Sequence, residues 1–148
     1  MLLSKACEYG LKACIFLASA KPSIKTSALE ISEVMDAPSP FTAKILKQLS
    51  KAGIISSNKG PKGGFYLTNE QQKQNLYTVL VAIDGDQLFT GCALGLSTCS
   101  SQFPCPVHKE YALIRDRLTK LMKYNTLDKM ADSYQNGEAF LKSLEISV

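Results

Sequence analysis

The stretch from Ser27 to Thr68 constrains the fold more than any other part of this 148-residue chain. Ser27-Ala28-Leu29-Glu30 has the spacing of a capping box, in which a Ser oxygen and a Glu carboxylate satisfy backbone amides at a helix start. After a break at 36–40 with two prolines, a second helix is predicted from Phe41 to Lys51, with Gly53 as its stop. We therefore expect two helices joined by a tight turn.

A short β-hairpin is predicted directly after these two helices. Residues 54–58 and 65–68 favour strands, and Lys59-Gly60-Pro61-Lys62-Gly63-Gly64 between them is typical of a turn. A helix-turn-helix followed at once by a glycine-rich hairpin is the winged-helix arrangement. An ordinary small α/β domain with a solvated hairpin is the alternative that this pattern leaves open. The predicted fold class is mainly α with a small β-hairpin.

Lysines are concentrated in this same region. Between Ser39 and Gly64 there are five Lys and no acid, although the net charge of the whole chain is only +4. Such a local excess favours a polyanionic partner, although a solvated basic surface gives the same pattern. Glycines in the turn would let the backbone approach a phosphate closely. The candidate DNA-contacting residues are Ser39, Phe41, Thr42, Lys44, Lys47, Lys51, Lys59, Gly60, Lys62 and Gly63.

Further helices are predicted on both sides of this region. The first is expected from after Ser4 to about Ala20, and the others at about 76–83, 106–124 and from Thr126, with a further segment at 139–144. We expect residues 1–75 to form a winged helix-turn-helix domain and residues 76–148 to contain a cysteine loop and a dimerisation helix. Within the long helix, apolar residues recur at heptad-like spacing. This seam favours packing against another helix, either within the chain or in a second subunit; it comprises Val107, Tyr111, Ile114, Leu118 and Leu121.

Three of the five cysteines and the only histidine fall between residues 92 and 108, spaced C-x6-C-x5-C-x2-H. Soft thiolate and imidazole donors on a loop rich in Gly, Ser and Pro suit zinc or an iron–sulfur cluster. The candidate ligands are Cys92, Cys99, Cys105 and His108. The remaining two cysteines lie on the apolar face of the first helix and are interpreted as core residues.

Other uses of the cysteine loop remain open at this stage. The thiols could act directly as redox sensors, or the loop could hold structural zinc. An RNA-binding zinc finger is disfavoured because the loop carries no Lys or Arg. A nucleophilic cysteine with His108 as its base is also disfavoured, because no oxyanion-hole or substrate motif accompanies it. The chain is therefore not expected to be an enzyme.

No apolar run reaches the ~18 residues of a membrane span, so no membrane partner is expected. At the N-terminus, Lys5, Glu8 and Lys12 interrupt the apolar run at helical spacing, which favours an amphipathic helix over a signal peptide. The odd number of cysteines and the missing export signal favour a reducing cytoplasm.

Taken together, these segments resemble the IscR/NsrR-type regulators of the Rrf-two superfamily, which are dimeric winged-helix transcription factors. The resemblance covers roughly residues 1–135. It rests on Tyr9–Ala13, Leu49–Ser57, the wing Lys59–Phe65, the three-cysteine loop and Tyr124–Leu127.

The resemblance implies that Cys92, Cys99 and Cys105 ligate an iron–sulfur cluster, with [2Fe–2S] favoured and [4Fe–4S] as the other type. It offers two fourth ligands, His108 as in the IscR type, or Glu8 from the other subunit as in NsrR-like members. It further implies a homodimeric repressor that binds a near-palindromic double-stranded operator and senses redox state, nitric oxide or iron–sulfur status. The alternative is a winged-helix regulator with a zinc or thiol redox site and no cluster.

Overall fold

A computed structural model describes residues 2–143, which contain eight helices and two strands. These elements are α1 (Lys5–Ser19), α2 (Ala28–Met35), α3 (Ser39–Lys51), β1 (Ser56–Asn58), β2 (Gly64–Tyr66), α4 (Asn69–Gln72), α5 (Leu76–Asp84), α6 (Gln87–Thr90), α7 (His108–Tyr124) and α8 (Leu127–Gln135). The mainly helical architecture with one small antiparallel hairpin confirms the predicted fold class.

Helix α1 lies at the centre of the fold and packs against α3, α5 and α8. It begins at Lys5 because the Ser4 hydroxyl oxygen accepts a hydrogen bond from the Cys7 backbone amide at 3.0 Å. The Asp84 carboxylate at the end of α5 in turn accepts from the Ser4 backbone amide at 3.0 Å. This contact fixes the start of α1 against the residues that lead into the cysteine loop.

The helix-turn-helix forms as its caps predict. The Ser27 hydroxyl accepts from the Glu30 amide at 3.2 Å, and the Glu30 carboxylate accepts from the Ser27 amide at 3.0 Å, which completes the capping box. Helix α3 begins at Ser39, two residues before the predicted start, because Pro40 fits the first turn, where its missing amide removes no helical bond. Ile45, Leu46 and Leu49 bury the inner face of α3.

The hairpin is held to the body of the protein by a third extended segment. In the pairing of β1 with β2, Ser57 lies opposite Phe65. On the other side, Phe65 exchanges two backbone hydrogen bonds with Thr26, at 2.8 and 2.9 Å. A Cβ atom on Gly64 would lie 2.8 Å from the Thr26 carbonyl oxygen, and its φ of +152° disfavours L side chains. The strands are shorter than predicted, because Ile54 and Ile55 bury their side chains before pairing begins.

Two short helices were not predicted from the sequence. The segment 69–75, which follows the hairpin, contains α4, which starts with a capping box between Thr68 and Gln71. Helix α6 precedes the cysteine loop and buries Phe89. Helix α7 begins at His108 rather than at 106. Residues 139–143 form no helix, and Leu144, the end of the predicted last segment, lies outside the described residues.

The largest hydrophobic cluster draws side chains from both halves of the chain. Leu127 and Ala131 of α8 share this cluster with Ala13 and Leu17 of α1. A second cluster, which comprises Cys7, Leu80, Phe89 and Met122, lies beneath the start of the cysteine loop. The division at residue 75 stays a prediction, since nothing in the structure tests it. None of the helices within residues 2–143 combines the length and apolar character that a membrane crossing requires.

Candidate metal centre and nucleic-acid interface

The structure brings Cys92, Cys99 and Cys105 together. Their three Sγ atoms all lie within 4.8 Å of one another. The Sγ atoms of Cys92 and Cys105, 13 residues apart in the chain, are separated by 3.6 Å. Cys105 is buried, whereas the other two sulfurs belong to half-buried residues. We call these three residues the three-cysteine site.

His108 adjoins the three-cysteine site at the start of α7. Its Nδ1 lies 3.0 Å from the Cys99 Sγ, and its backbone amide donates to the Cys105 carbonyl at 3.0 Å. Glu8, the other candidate fourth ligand, forms an ion pair with Lys5 at 2.8 Å on its own helix. Its role toward a partner subunit stays a prediction.

The chemistry of the site fits a metal or cluster bound by thiolates. Backbone amides donate to two of the sulfurs, Leu94 to Cys92 and Cys105 to Cys99, each at 3.4 Å. Hydrogen bonds to the charged form favour it, and the amides of Leu96 and Leu94 accordingly lower the pKa of Cys92 to about 7. Desolvation raises the pKa of Cys105 from its usual value. A bound cation would favour the thiolate of Cys105 despite that burial.

The other two cysteines are not part of this site. Cys7 and Cys14 are both fully buried on α1, as their helical spacing predicts. Burial raises the pKa of each thiol to about 12, so both stay protonated at neutral pH. The prediction that these residues belong to the core is confirmed.

All five lysines of the predicted nucleic-acid interface have exposed side chains. Lys47, Lys51 and Lys59 border a groove of about 510 Å³ between α3 and the hairpin. Ser50 and Ser57 also line this groove, and their hydroxyl oxygens lie 2.9 Å apart. Lys44 is exposed on α3, and Lys62 is exposed in the turn between β1 and β2. The surface combines positive charge with hydroxyl groups, both of which suit contacts to phosphate oxygens.

The remaining predicted interface residues differ in their exposure. Thr42 is only 1% exposed, so the prediction that its side chain contacts DNA is wrong. The cause is the helix register, which turns Thr42 inward together with Ile45 and Leu46. Ser39 is half-buried, as is Phe41, whose ring packs edge-on against Tyr9 with 5.6 Å between ring centroids.

The two turn glycines predicted to face DNA are also required by the hairpin itself. Gly60 has a φ of +98°, which L side chains rarely adopt. A Cβ atom on Gly63 would lie 2.2 Å from the Asn58 carbonyl oxygen. Their contact with a phosphate backbone stays a prediction.

One basic residue of this surface was missed by the sequence analysis. Lys25 precedes α2, and its Nζ donates to the side-chain oxygen of Asn58 on β1 at 3.0 Å when the amide is oriented to accept. Lys25 therefore adds positive charge beside the hairpin. No local pattern indicates this, because the contact depends on the pairing of Thr26 with Phe65.

The outward face of α7 exposes large apolar side chains. Leu113, Ile114 and Leu121 are each more than half exposed, whereas Leu118 packs against the second hydrophobic cluster. Of the predicted seam, Leu118 therefore faces inward and Ile114 and Leu121 face outward. Contiguous exposed apolar side chains of this kind mark interaction surfaces.

The helix-turn-helix, the hairpin beside it and the basic groove define a winged-helix transcription regulator. The chain belongs to the Rrf2 family, described as iron-dependent transcriptional regulators, whose model matches residues 3–133. It is 30% identical over 129 residues to a protein of Aquifex aeolicus (strain VF5) named as an HTH-type transcriptional regulator, covering 86% of this chain and 89% of that protein. Both descriptions name regulators of transcription, in agreement with the expectation of a regulator rather than an enzyme.

Solved structures share the fold. CymR (YrzC), the global cysteine regulator of B. subtilis, superposes with a TM-score of 0.74 at 21% identity, covering 88% of this chain and 95% of CymR. T. potens IscR superposes with a TM-score of 0.71 at 19% identity, covering 93% of this chain and 90% of IscR. At these identities the similarity establishes the architecture alone, and the predicted winged-helix fold is confirmed.

Proposed function

We propose that this protein is a homodimeric repressor whose operator binding depends on an iron–sulfur cluster held at the three-cysteine site. One observation carries the proposal: the sulfurs of Cys92, Cys99 and Cys105 converge within 4.8 Å of one another beside an imidazole nitrogen. Cysteines that serve only packing are found in the core, as Cys7 and Cys14 are here. A regulator of transcription with such free thiols would work in the reducing cytoplasm.

In this proposal Cys92, Cys99 and Cys105 supply thiolates and His108 is the fourth ligand. A [2Fe–2S] cluster, when bound, supplies reversible one-electron chemistry and reactivity toward oxidants, and a [4Fe–4S] cluster would do the same. The amides of Leu94 and Cys105 stabilise the sulfur charge. The buried position of Cys105 restricts water at one side of the site.

Structural zinc is the second candidate occupant, and one distance is compatible with it. In a tetrahedral site with Zn–S bonds of about 2.3 Å, neighbouring sulfurs lie about 3.8 Å apart. The Cys92 and Cys105 sulfurs, 3.6 Å apart, are close to that value. Two ligands of one iron in a two-iron cluster would have a similar separation, so the spectrum of the purified protein must distinguish the two occupants.

Dimerisation would proceed through α7. Its exposed Leu113, Ile114 and Leu121 would be buried against the same helix of a second subunit. At ~1.5 Å per residue, the 17 residues of α7 span about 25 Å, enough to form the axis of a dimer. The cysteine loop leads directly into α7, so a change in its arrangement on loading or loss of the cluster would alter the spacing of the two α3 helices.

Each subunit would place α3 in a major groove, with the hairpin along the adjacent backbone. Two-fold symmetry then calls for a near-palindromic operator with half-sites ~34 Å apart or a multiple of it. If all five interface lysines of both subunits reach phosphates, the ten contacts give a salt slope of about −9 as an upper bound.

The cofactor is tested by anaerobic purification followed by iron, sulfide and zinc analysis and by visible spectroscopy. We expect iron and sulfide with charge-transfer absorption, and stoichiometric zinc in their place would overturn the cluster. Cys99→Ala should abolish the cluster, whereas the matched control Cys7→Ala should retain it. If Cys99→Ala kept the cluster and Cys7→Ala lost it, the three-cysteine site would not be the site of the cluster.

The nucleic-acid interface and the dimer are tested with separate variants. Lys44→Ala and Lys59→Ala should each weaken operator binding and reduce the magnitude of the salt slope by about 2, because each substitution removes one phosphate contact from each subunit. Unchanged affinity in both would contradict the proposed docking. Ile114→Glu should yield monomers by light scattering, because it places a charge on the exposed apolar face of α7, and a stable dimer in this variant would exclude α7 as the interface.

A further inference from the structure

A single arginine joins the long helix to the residue just before the first cysteine ligand. Arg115 lies on α7, and its Nη1 donates hydrogen bonds to the carbonyl oxygens of Thr90 at 2.7 Å and of Gly91 at 2.5 Å. Gly91 immediately precedes Cys92 in the chain. These contacts link positions 24 and 25 residues apart.

The two carbonyls need such a partner because they lie at the end of a helix. Helix α6 ends at Thr90, and the last carbonyls of a helix have no donor within it. A cation at this end also interacts favourably with the helix dipole. A four-residue helix has little stability of its own, so its position depends on what holds it.

The rest of the geometry fixes α6 and Arg115 on their other sides. Phe89 anchors α6 in the second hydrophobic cluster, and the centroids of the Phe89 and Tyr77 rings are 4.6 Å apart. The Arg115 guanidinium lies 5.5 Å from the ring centroid of Tyr111, one turn earlier on α7. The two ion pairs found among residues 2–143, Lys5–Glu8 and Lys120–Asp116, do not include Arg115. Its contacts are thus directed at the end of α6.

Both ends of the cysteine loop are therefore held by α7. Cys105 and His108 are joined to it through the chain, and Cys92 is held one residue beyond a carbonyl that Arg115 binds. A loop whose two ends are already held close together has less conformational entropy to lose when it closes around a ligand. Fixing both ends of the 92–108 segment therefore lowers the entropic cost of binding. The sulfurs of Cys92 and Cys105, which lie at the two ends of this loop, are 3.6 Å apart.

We propose that Arg115 is a positioning residue for the three-cysteine site, holding Cys92 where its sulfur meets those of Cys99 and Cys105. This rests on the proposed function in one respect, that the site binds a metal or cluster. Residues that orient ligands without touching the metal typically contribute 10–100-fold to metal affinity.

The test compares Arg115→Ala and Arg115→Lys with the matched control Arg117→Ala, an exposed arginine on the same helix. The loaded proteins, with folding checked by circular dichroism, are mixed with excess chelator and the loss of absorbance is followed. We expect Arg115→Ala to lose its metal at least tenfold faster than wild type, and Arg117→Ala at the wild-type rate. Arg115→Lys keeps the charge on a shorter side chain and should fall between them.

A second readout uses the metal-free protein. Diamide takes two electrons and two protons from a pair of thiols as their sulfur–sulfur bond forms, and peptide mapping gives the rate for Cys92 with Cys105. We expect this rate to fall several-fold in Arg115→Ala and to stay unchanged in Arg117→Ala. If both arginine-to-alanine variants match wild type in both readouts, the positioning role is overturned while metal binding stands. If no variant, wild type included, binds metal but the disulfide rate still falls, the proposed function fails and the positioning of Cys92 stands.

Discussion

Replacing Thr42 with Val is predicted to stabilise the protein. The Thr42 side chain is 1% exposed on α3, and among the described residues its hydroxyl has no hydrogen-bond partner. A buried hydroxyl without a partner costs about 1–3 kcal/mol in protein mutational data. Valine has nearly the same shape, so the substitution removes the polar atom without creating a cavity.

The expected change in the free energy of unfolding has two contributions. The variant escapes the penalty of the unpaired hydroxyl and buries one more methyl group, worth about 0.8 kcal/mol. Thr and Val have similar helix propensities, so the backbone term is small. Allowing for partial relaxation around the hydroxyl, we expect the free energy of unfolding to rise by about 1–2 kcal/mol. For a chain of this size, that raises the Tm by about 2–8 °C.

The assay is thermal and urea unfolding at fixed protein concentration and metal content, with Thr42→Ser as the control. Serine keeps the unpaired hydroxyl and loses the methyl group, so it should be less stable than wild type. Operator affinity should be unchanged in Thr42→Val, because the side chain does not reach the surface, whereas Lys44→Ala in the same turn should weaken it. Loss of stability in Thr42→Val, or a loss of affinity equal to that of Lys44→Ala, would refute the reasoning.

Three further predictions concern the hairpin, the thiols and the core. Gly64→Ala should lower the free energy of unfolding by about 1–3 kcal/mol in urea titrations, because its Cβ would meet the Thr26 carbonyl. In the metal-free protein, the rate of Cys92 alkylation by iodoacetamide should rise as the pH increases through about 7, while Cys14 stays unmodified until the protein unfolds. Leu127→Ala should cost about 2–5 kcal/mol, because this fully buried side chain packs α8 into the core; a cost under about 1 kcal/mol would contradict that packing.

The longer helices could be predicted because their signals are local. The capping box at Ser27 acts within one helical turn, and the apolar spacing of α1 correctly assigned Cys7 and Cys14 to the core. The short helices α4 and α6 were missed because four residues carry too little periodicity to detect. Burial of Phe89 against Tyr77 accompanies α6, and this contact comes from tertiary packing.

The nucleic-acid interface could be predicted from the sequence only in part. The sequence correctly indicated exposed lysines on α3 and in the hairpin, because long charged side chains in a region without acids have little to pair with. It placed Thr42 on the wrong side, because a helix face cannot be assigned to within one residue when both Phe41 and Thr42 are compatible with the core. Packing decided the question, turning Thr42 fully inward and leaving Phe41 half-buried against Tyr9.

Caps, turn glycines and cysteine spacing act over short stretches of chain, so the winged-helix architecture and the set of candidate metal ligands could be predicted from the amino acids alone. The three-dimensional fold was needed to show that the three sulfurs converge, that Lys25 lies beside the hairpin and that Arg115 binds the end of α6. Lys25 and Arg115 each contact residues far away in the chain, whereas the three sulfurs come from one loop whose two outer cysteines are 13 residues apart. Lys25 reaches Asn58 through the pairing of Thr26 with Phe65, and Arg115 reaches its two carbonyl partners because α7 packs against α6; no local pattern encodes these contacts.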